Sequence, residues 1–237
     1  TKQPFELPNA KPYIYENGVL VDSFSYMSFY QTDFESYKSG ATYTVKIAYP
    51  NYTSVEASDI MPQTTAIKNV AFTKEAKQMN IDGNVQPTMM DEIKITFNNN
   101  AAEKDFYQFR LATNSPSGQY FCIYSSELDI ENENSNDNPF STSENCISST
   151  FFMKDVNFNG KEKTLVLYVP SILTNQMTTF WEISVSHLSE NYYKFIKTRQ
   201  LYNENDGNPF AEPVQIHSNV KNGVGIFALK KDTILQL

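Results

Sequence analysis

The chain has 237 residues, a formal net charge of −8 at pH 7 and a pI near 4.8, so its field repels nucleic-acid phosphates and offers no polybasic membrane patch. Aromatic residues make up 14% of it, with 15 Tyr and 17 Phe against 8 Gly and 11 Pro, which favours strands over disorder. We therefore expect a mainly β protein without a nucleic-acid partner, and no apolar run approaches the roughly 18 residues of a membrane span.

The first predicted elements form an antiparallel unit. Residues 13–21 predict a β-hairpin around Asn17-Gly18, a pair that favours a tight turn. Residues 43–49 alternate apolar and polar side chains, which predicts a half-buried strand, and residues 52–57 continue the sheet after a turn. Pro62 follows, and a central strand does not accommodate proline, so we place a domain boundary near Gln63.

The middle of the chain predicts further strands separated by turns. Residues 74–91 are predicted as a loop, residues 119–125 as the hairpin partner of the strand before them, and Asn159-Gly160 as a second hairpin turn. The predicted strands cover residues 67–73, 93–97, 106–111, 150–158, 164–169 and 179–188.

A helix is predicted over residues 190–203, because Ser189 can act as its N-cap and Glu190 suits its positive end. Its apolar face is predicted to carry Leu188, Tyr192, Phe195, Ile196 and Tyr202. After a turn at residues 207–209, two strands are predicted over residues 214–220 and 224–228, separated by Asn222-Gly223.

These elements predict two β-sandwich-like modules with one C-terminal amphipathic helix. The first module covers residues 1–63 and the second covers residues 64–237, including the helix. The first module is expected to be truncated at its start, where the chain has no initiator Met and begins as a processed or trimmed product would.

Cys122 and Cys146 are the two cysteines, and neither stands in a CxxC pair or near a His at metal-ligand spacing. A disulfide between them is favoured, and it would imply an oxidising compartment. Two unpaired buried thiols are the alternative.

No catalytic motif is present, and the two histidines, His187 and His217, are expected to be structural hydrogen-bonding residues. Trp181 is expected in the core, with a ligand-binding aromatic site of Trp181, Tyr192 and Tyr193 as the alternative. No cofactor is predicted. The acidic stretch 127–138 is expected to be a solvated loop, with a Ca²⁺ site as the alternative. Its weak candidate ligands are Asp129, Glu131, Glu133 and Asp137.

Several ordered motifs resemble one family. Residues 208–213 (NPFAEP) and 218–227 (SNVKNGVGIF) resemble its closing signature, and residues 9–18, 40–45 and 57–62 are similar to its first half. The family is that of Bacteroidetes lipoproteins catalogued as domain of unknown function 4249. The tripeptide Asp232-Thr233-Ile234 also resembles the O-glycosylation acceptor used in that phylum.

The resemblance implies two β-rich modules behind a lipobox cysteine, encoded beside TonB-dependent outer-membrane transporters. The chain departs from that pattern at its front, where it has no lipobox cysteine. We expect a non-enzymatic lipoprotein, at the cell surface or the periplasmic face of the outer membrane, held by a lipid anchor absent from this chain. It would assist such a transporter by binding substrate or the transporter itself. The alternative is an extracellular glycan- or peptide-binding adhesin, or a hydrolase, on a β-sandwich.

Overall fold

The computed structural model describes residues 7, 9–26, 30–32, 34–81, 86–101, 104–113, 122–127, 129–132, 146–171, 181–205 and 210–236. The fold is mainly β, as predicted, with one α-helix among these residues. The strands are β1 (Lys11–Glu16), β2 (Val19–Ser23), β3 (Ser25–Tyr26), β4 (Tyr30–Gln31), β5 (Thr42–Ala48), β6 (Val55–Ile60), β7 (Ala66–Met79), β8 (Thr88–Asn98), β9 (Phe106–Thr113), β10 (Ile130–Asn132), β11 (Thr150–Lys154), β12 (Glu162–Pro170), β13 (Trp181–Leu188), β14 (Val220–Lys221) and β15 (Lys230–Gln236). The helix α1 covers Glu190–Asn205, and a 3-10 turn covers Asp155–Asn157.

The chain divides into two compact units. Unit 1 contains residues 1–63 and 189–230, and unit 2 contains residues 64–188 and 231–237. The division after Gln63 falls where the sequence placed its boundary. The sequence pattern predicts that everything after that point belongs to the second module, whereas helix α1 and residues 210–230 belong to unit 1.

Unit 1 is built on an antiparallel five-stranded sheet with the order β14-β6-β5-β1-β2. The predicted hairpin is present: Asn17 and Gly18 both have positive φ, 48° and 84°, which suits the twist of a two-residue turn. One face of the sheet is buried, with Ile14 and Tyr43 fully inaccessible to solvent. Leu229, from the C-terminal segment, packs in the same apolar cluster.

The C-terminal segment joins unit 1 through backbone and side-chain pairing that its sequence pattern did not predict. Val220 pairs with Ala57, which adds β14 to the edge of the sheet. The Asn219 side chain donates to the carbonyl oxygens of Ser58 and Phe227 at 3.1 and 2.7 Å. The predicted strands 214–220 and 224–228 therefore reduce to the two residues of β14, because side-chain amides and hydroxyls satisfy much of this segment's backbone.

Unit 2 is a sandwich of two antiparallel sheets, with the orders β12-β8-β7 and β10-β11-β9-β13-β15. Apolar side chains from both sheets form one buried cluster. Aromatic rings are prominent in this cluster. The ring centroid of Phe97 lies 5.2 Å from that of Tyr107 and 5.8 Å from that of Phe109. This is the larger of the two described cores.

Four predictions in unit 2 are corrected. Residues 74–79 and 88–91 of the predicted loop are strand, because β7 and β8 continue their backbone pairing, with a register shift between Thr73 and Lys77. Residues 123 and 124 do not pair with β9, since β11 and β13 occupy both of its edges; they bridge to Ile147 and Tyr168 instead.

The third correction concerns the predicted hairpin turn at Asn159-Gly160. Gly160 does adopt a positive φ of 71°, but the strands on either side of it, β11 and β12, lie in different sheets. The predicted strand 150–158 also ends at Lys154, where the 3-10 turn begins. The turn therefore connects the two layers of the sandwich.

Candidate functional site

The structure describes two of the three aromatic side chains of the alternative ligand-binding site. Tyr193 is buried at 7% exposure, and Tyr192 is half-buried. Trp181 begins β13, but its side chain lies outside the described structure. The predicted cap is present, because the Tyr192 amide donates to Ser189 Oγ at 3.2 Å. The helix buries Tyr193 and Ile196, while Phe195 is half-buried and Tyr202 is 45% exposed, so its apolar face is rotated from the predicted one.

The acidic candidates that the structure describes are paired with lysines or amides. Glu131 lies 2.7 Å from Lys154 Nζ. Asp129 lies 3.7 Å from Lys163 Nζ and accepts a hydrogen bond from Asn157. Glu133 and Asp137 lie outside the described residues. Within the described part of the chain, no group of three or more His, Cys, Asp or Glu side chains is arranged to hold a metal ion.

The disulfide predicted between Cys122 and Cys146 is present in unit 2. Directly beside it, Ile123 and Ile147 form an antiparallel bridge with mutual backbone hydrogen bonds of 3.0 and 2.8 Å. Both isoleucines belong to the core of unit 2. The bond therefore anchors both ends of the segment 123–145 to the sandwich.

His187 belongs to a buried polar network in unit 2. Its Nε2 lies 3.0 Å from Asp105 Oδ1, and its ring stacks on Tyr107 at a centroid distance of 5.1 Å. Asp105 Oδ2 also accepts from Asn99 Nδ2 at 2.7 Å and from the Tyr107 hydroxyl at 3.2 Å. Burial, with the Asp105 charge beside it, raises the pKa of Tyr107, so the phenol stays protonated and keeps donating. The network joins the ends of β8, β9 and β13.

His217 has a corresponding role in unit 1. Its Nε2 lies 3.0 Å from Asn191 Oδ1, and Asn191 Nδ2 donates to the buried Asp59 at 2.9 Å. The other Asp59 oxygen accepts from the Leu229 amide at 2.8 Å. This chain of bonds fixes the helix start and the C-terminal segment on β6. Both histidines are therefore structural hydrogen-bonding residues, as expected.

A surface that the sequence analysis did not identify lies on the outer side of the unit 1 sheet. Side chains at directly paired positions lie on one face of a sheet, and alternate residues point to opposite faces. Tyr13 pairs with Lys46, Lys46 with Glu56, and Glu56 with Lys221, which makes one row across four strands. Because Tyr43 and Ile14 occupy the buried face, this row points outward.

A second row runs parallel to the first. Tyr15 pairs with Leu20 on one side and with Thr44 on the other, and Thr44 pairs with Ser58. The hydroxyls of Thr44 and Ser58 lie 2.8 Å apart. We call the two rows together the open face. Period-two alternation in residues 13–15 and 44–46 was visible in the sequence, but the pairing of distant strands that aligns these residues was not.

The open face carries positive charge. Lys46 Nζ lies 3.0 Å from Glu56 and 5.3 Å from the centroid of the Tyr15 ring, and Lys221 Nζ lies 3.6 Å from the same glutamate. Hydrogen bonding to Lys46, supported by the Lys221 charge, lowers the pKa of Glu56 and keeps it ionised. The side chains of Lys46 and Lys221 are 48% and 76% exposed, so solvent reaches both.

Unit 1 also exposes apolar side chains at the end of the sheet. Tyr52, in the β5–β6 turn, is 75% exposed, and Val224, in the loop after β14, is 94% exposed. The two loops meet, because Asn222 Nδ2 donates to the Ser54 carbonyl at 3.2 Å. We call Tyr52 and Val224 the apolar tip.

Two further sequence features have a structural outcome. Thr233, in the tripeptide that resembles an O-glycosylation acceptor, lies in β15 with its hydroxyl oxygen buried, so this conformation does not present it to an enzyme. Among the described residues, no helix has the length and apolar character needed to cross a membrane.

Comparison with known proteins gives one extensive match. The model of a family described as Domain of unknown function (DUF4249) matches residues 1–233. A search of curated proteins finds no significant match. A crystallised protein from Corynebacterium diphtheriae, described as membrane anchored, is similar with 14% identity and a TM-score of 0.21. The alignment covers 77% of this chain and 48% of that one, about half of its length, and at this TM-score the likeness carries no argument.

Proposed function

The chain belongs to the DUF4249 family, and from that premise we propose that it is a non-enzymatic cell-envelope lipoprotein that assists a TonB-dependent outer-membrane transporter. It would bind the transporter, its substrate, or both. The proposed location is the outer membrane, at the cell surface or the periplasmic face, through a lipid anchor on the full-length precursor. The lipoprotein resemblance of the sequence motifs is the source of this location and this partner.

The observation that carries the binding role is where exposed apolar side chains lie. Among the described residues, eleven large apolar side chains are exposed, of which nine belong to unit 1 and two, Val156 and Ile234, to unit 2. Scattered exposed apolar residues are ordinary, but their concentration in one unit is what a contact surface produces. Unit 1 is therefore the proposed contact module, with the apolar tip as its first candidate.

The arrangement of the histidines supports binding rather than catalysis. General acid–base chemistry at neutral pH most often uses a histidine that can reach a substrate. His187 is buried against Asp105 and Tyr107, and His217 is hydrogen-bonded to Asn191. Each histidine therefore makes contacts that stabilise the fold.

Affinity purification of the full-length protein from detergent-solubilised outer membrane tests the proposal. We expect a large β-barrel protein to co-purify. Val224→Ser should reduce that recovery several-fold, because it removes an exposed apolar contact from the apolar tip. Val156→Ser is the matched control, since Val156 is 76% exposed but lies in unit 2. Recovery of the protein alone, or equal loss with both variants, would contradict the proposed role.

A second candidate is an extracellular glycan-binding adhesin, which the open face of unit 1 favours. Tyrosines, hydroxyls and lysines on a solvent-accessible sheet face can bind a saccharide without a transporter. Surface binding to glycan in cells that lack the co-purifying barrel would support this candidate over the first.

A further inference from the structure

We propose that the open face of unit 1 binds an acidic polysaccharide, a chain of uronic-acid residues. The inference names a ligand class for the proposed binding function. It depends on that function only for its link to a transporter. The sheet face, its charge and its aromatic side chains are independent of it.

The sign of the charge is the first reason. The whole chain has a net charge of −8, so most of its surface repels anions. On the outward positions of β1, β5, β6 and β14, three lysines, Lys11, Lys46 and Lys221, stand against one acidic residue, Glu56. A locally positive face on an acidic protein attracts an anionic ligand to that face.

The arrangement of two lysines around one carboxylate is the second reason. Lys46 and Lys221 both approach Glu56, at 3.0 and 3.6 Å, so one carboxylate already lies between two ammonium groups. This arrangement shows that the face accommodates a carboxylate in charge-assisted contact. A ligand carboxylate beside Lys221, whose side chain is 76% exposed, would make the same contact from the solvent side.

The aromatic column is the third reason. Tyr13 and Tyr15 point outward from the same strand, roughly 7 Å apart along it. Their half-buried rings offer apolar surface to the C–H faces of sugar rings, and their hydroxyls can bond to sugar oxygens. The Thr44 and Ser58 hydroxyls continue the row as further donors and acceptors. Anionic carboxylates, ring faces and many hydroxyls together describe a uronic-acid polymer.

The side chains of the Tyr13 row favour a glycan over a lipid surface or a nucleic acid. An interfacial membrane contact uses protruding apolar side chains, whereas the Tyr13 row consists of a tyrosine, two lysines and a glutamate. A nucleic acid needs a long basic footprint, and the rest of the chain is acidic.

Isothermal titration of the full chain with oligogalacturonate, a uronic-acid oligomer, tests the proposal, with maltoheptaose as the neutral oligomer. We expect binding to oligogalacturonate that weakens with added salt, and none to maltoheptaose. The double variant Lys46→Gln/Lys221→Gln should weaken it about tenfold or more, which corresponds to loss of about 1.4 kcal/mol. The matched control is Lys68→Gln/Lys94→Gln in unit 2, where both lysines also pair with glutamates at 2.6 Å. It should change the affinity by less than about twofold.

Tyr15→Ala separates a binding role from a folding role. It should abolish oligogalacturonate binding while the urea midpoint of unit 1 stays within the range of a surface substitution. No binding to oligogalacturonate, or equal weakening by the control pair, would overturn the proposal. So would binding to vesicles of phosphatidylglycerol and phosphatidylcholine in place of the oligomer.

The barrel co-purification described above distinguishes the two proposals. Lys46→Gln/Lys221→Gln should leave recovery of the barrel unchanged if the ligand and the partner use different surfaces. Loss of the barrel with retained glycan binding would end the transporter role and leave the open face standing. Retained barrel recovery without glycan binding would do the reverse.

Discussion

Unit 1 and unit 2 differ in how they use apolar side chains. Among the described residues, the buried core cluster of unit 2 has sixteen members and that of unit 1 has five. Exposed large apolar side chains are distributed the other way, two in unit 2 and nine in unit 1. The packing of unit 2 suits a stable scaffold. Unit 1 instead leaves more of its large apolar side chains exposed, at positions where a partner or ligand can contact them.

The largest expected effect is that of a core substitution in unit 2. Phe97 is fully buried in unit 2 and has Tyr107, Phe109 and Phe158 as ring neighbours. Phe97→Ala should cost about 3–5 kcal/mol, because a cavity replaces those contacts. Phe210→Ala in unit 1, at 95% exposure, is the control and should cost under about 0.5 kcal/mol. Urea denaturation measures both, and similar costs would refute the assignment of the core.

Reduction of the disulfide is expected to act on unit 2 alone, since both cysteines of the chain lie there. Cys122→Ser/Cys146→Ser should lower the unfolding free energy of unit 2 by about 3 kcal/mol in the chain-entropy model. Intact mass before and after reduction establishes the bond, and urea denaturation gives its effect. Two thiols that alkylate in the native protein would show that the bond does not form.

Substitutions in helix α1 test the packing of unit 1. Ile196, at 6% exposure, should cost about 2 kcal/mol or more when changed to Ala, because a cavity replaces a buried isoleucine side chain. Phe195 is half-buried with Arg199 over its ring, so Phe195→Ala should cost less than a fully packed phenylalanine would. Lys194→Ala, on the exposed side, is the control at under about 0.5 kcal/mol. A larger cost for Phe195→Ala than for Ile196→Ala would contradict the helix orientation described above.

The smallest expected effect is a pH dependence within unit 1. Hydrogen bonds from Lys38 and then Tyr43 lower the pKa of Glu16 below its ordinary value. A lowered folded-state pKa gives stability that is present above the unfolded pKa and is lost as the pH falls through the folded one. Glu16→Gln should therefore lower the denaturation midpoint slightly at pH 7, and the difference from the unchanged protein should shrink toward pH 3. A constant difference at all pH values would contradict this linkage.

Local patterns predicted much of the fold, for identifiable reasons. The Asn17-Gly18 turn, the Ser189 cap and the alternating strand β5 each depend on a few neighbouring residues. The extension of β7 and β8 into residues 74–79 and 88–91 was missed, because residues 74–78 of β7 are all exposed, so no period-two burial marks the full length of that strand. These strands are defined by backbone pairing between distant residues, which composition does not reveal.

The candidate site was predictable only in part. The disulfide followed from the cysteine count and spacing. The burial of Tyr193 did not follow from the sequence, because it depends on which face of the helix is packed. The open face needs Tyr13, Lys46, Glu56 and Lys221 in one row, and those residues span more than two hundred positions of the chain. Only three-dimensional pairing places them together.

The path of the chain through the two units has a consequence for its synthesis on the ribosome. Ile14 and Leu229 belong to the same small core, although 215 positions separate them. Most of unit 2 emerges between them and can fold first, while the β1–β2 hairpin and its neighbours wait without the residues that close their core. Until Leu229 arrives, the small core of unit 1 is incomplete, so apolar side chains of this unit stay accessible to aggregation during most of synthesis.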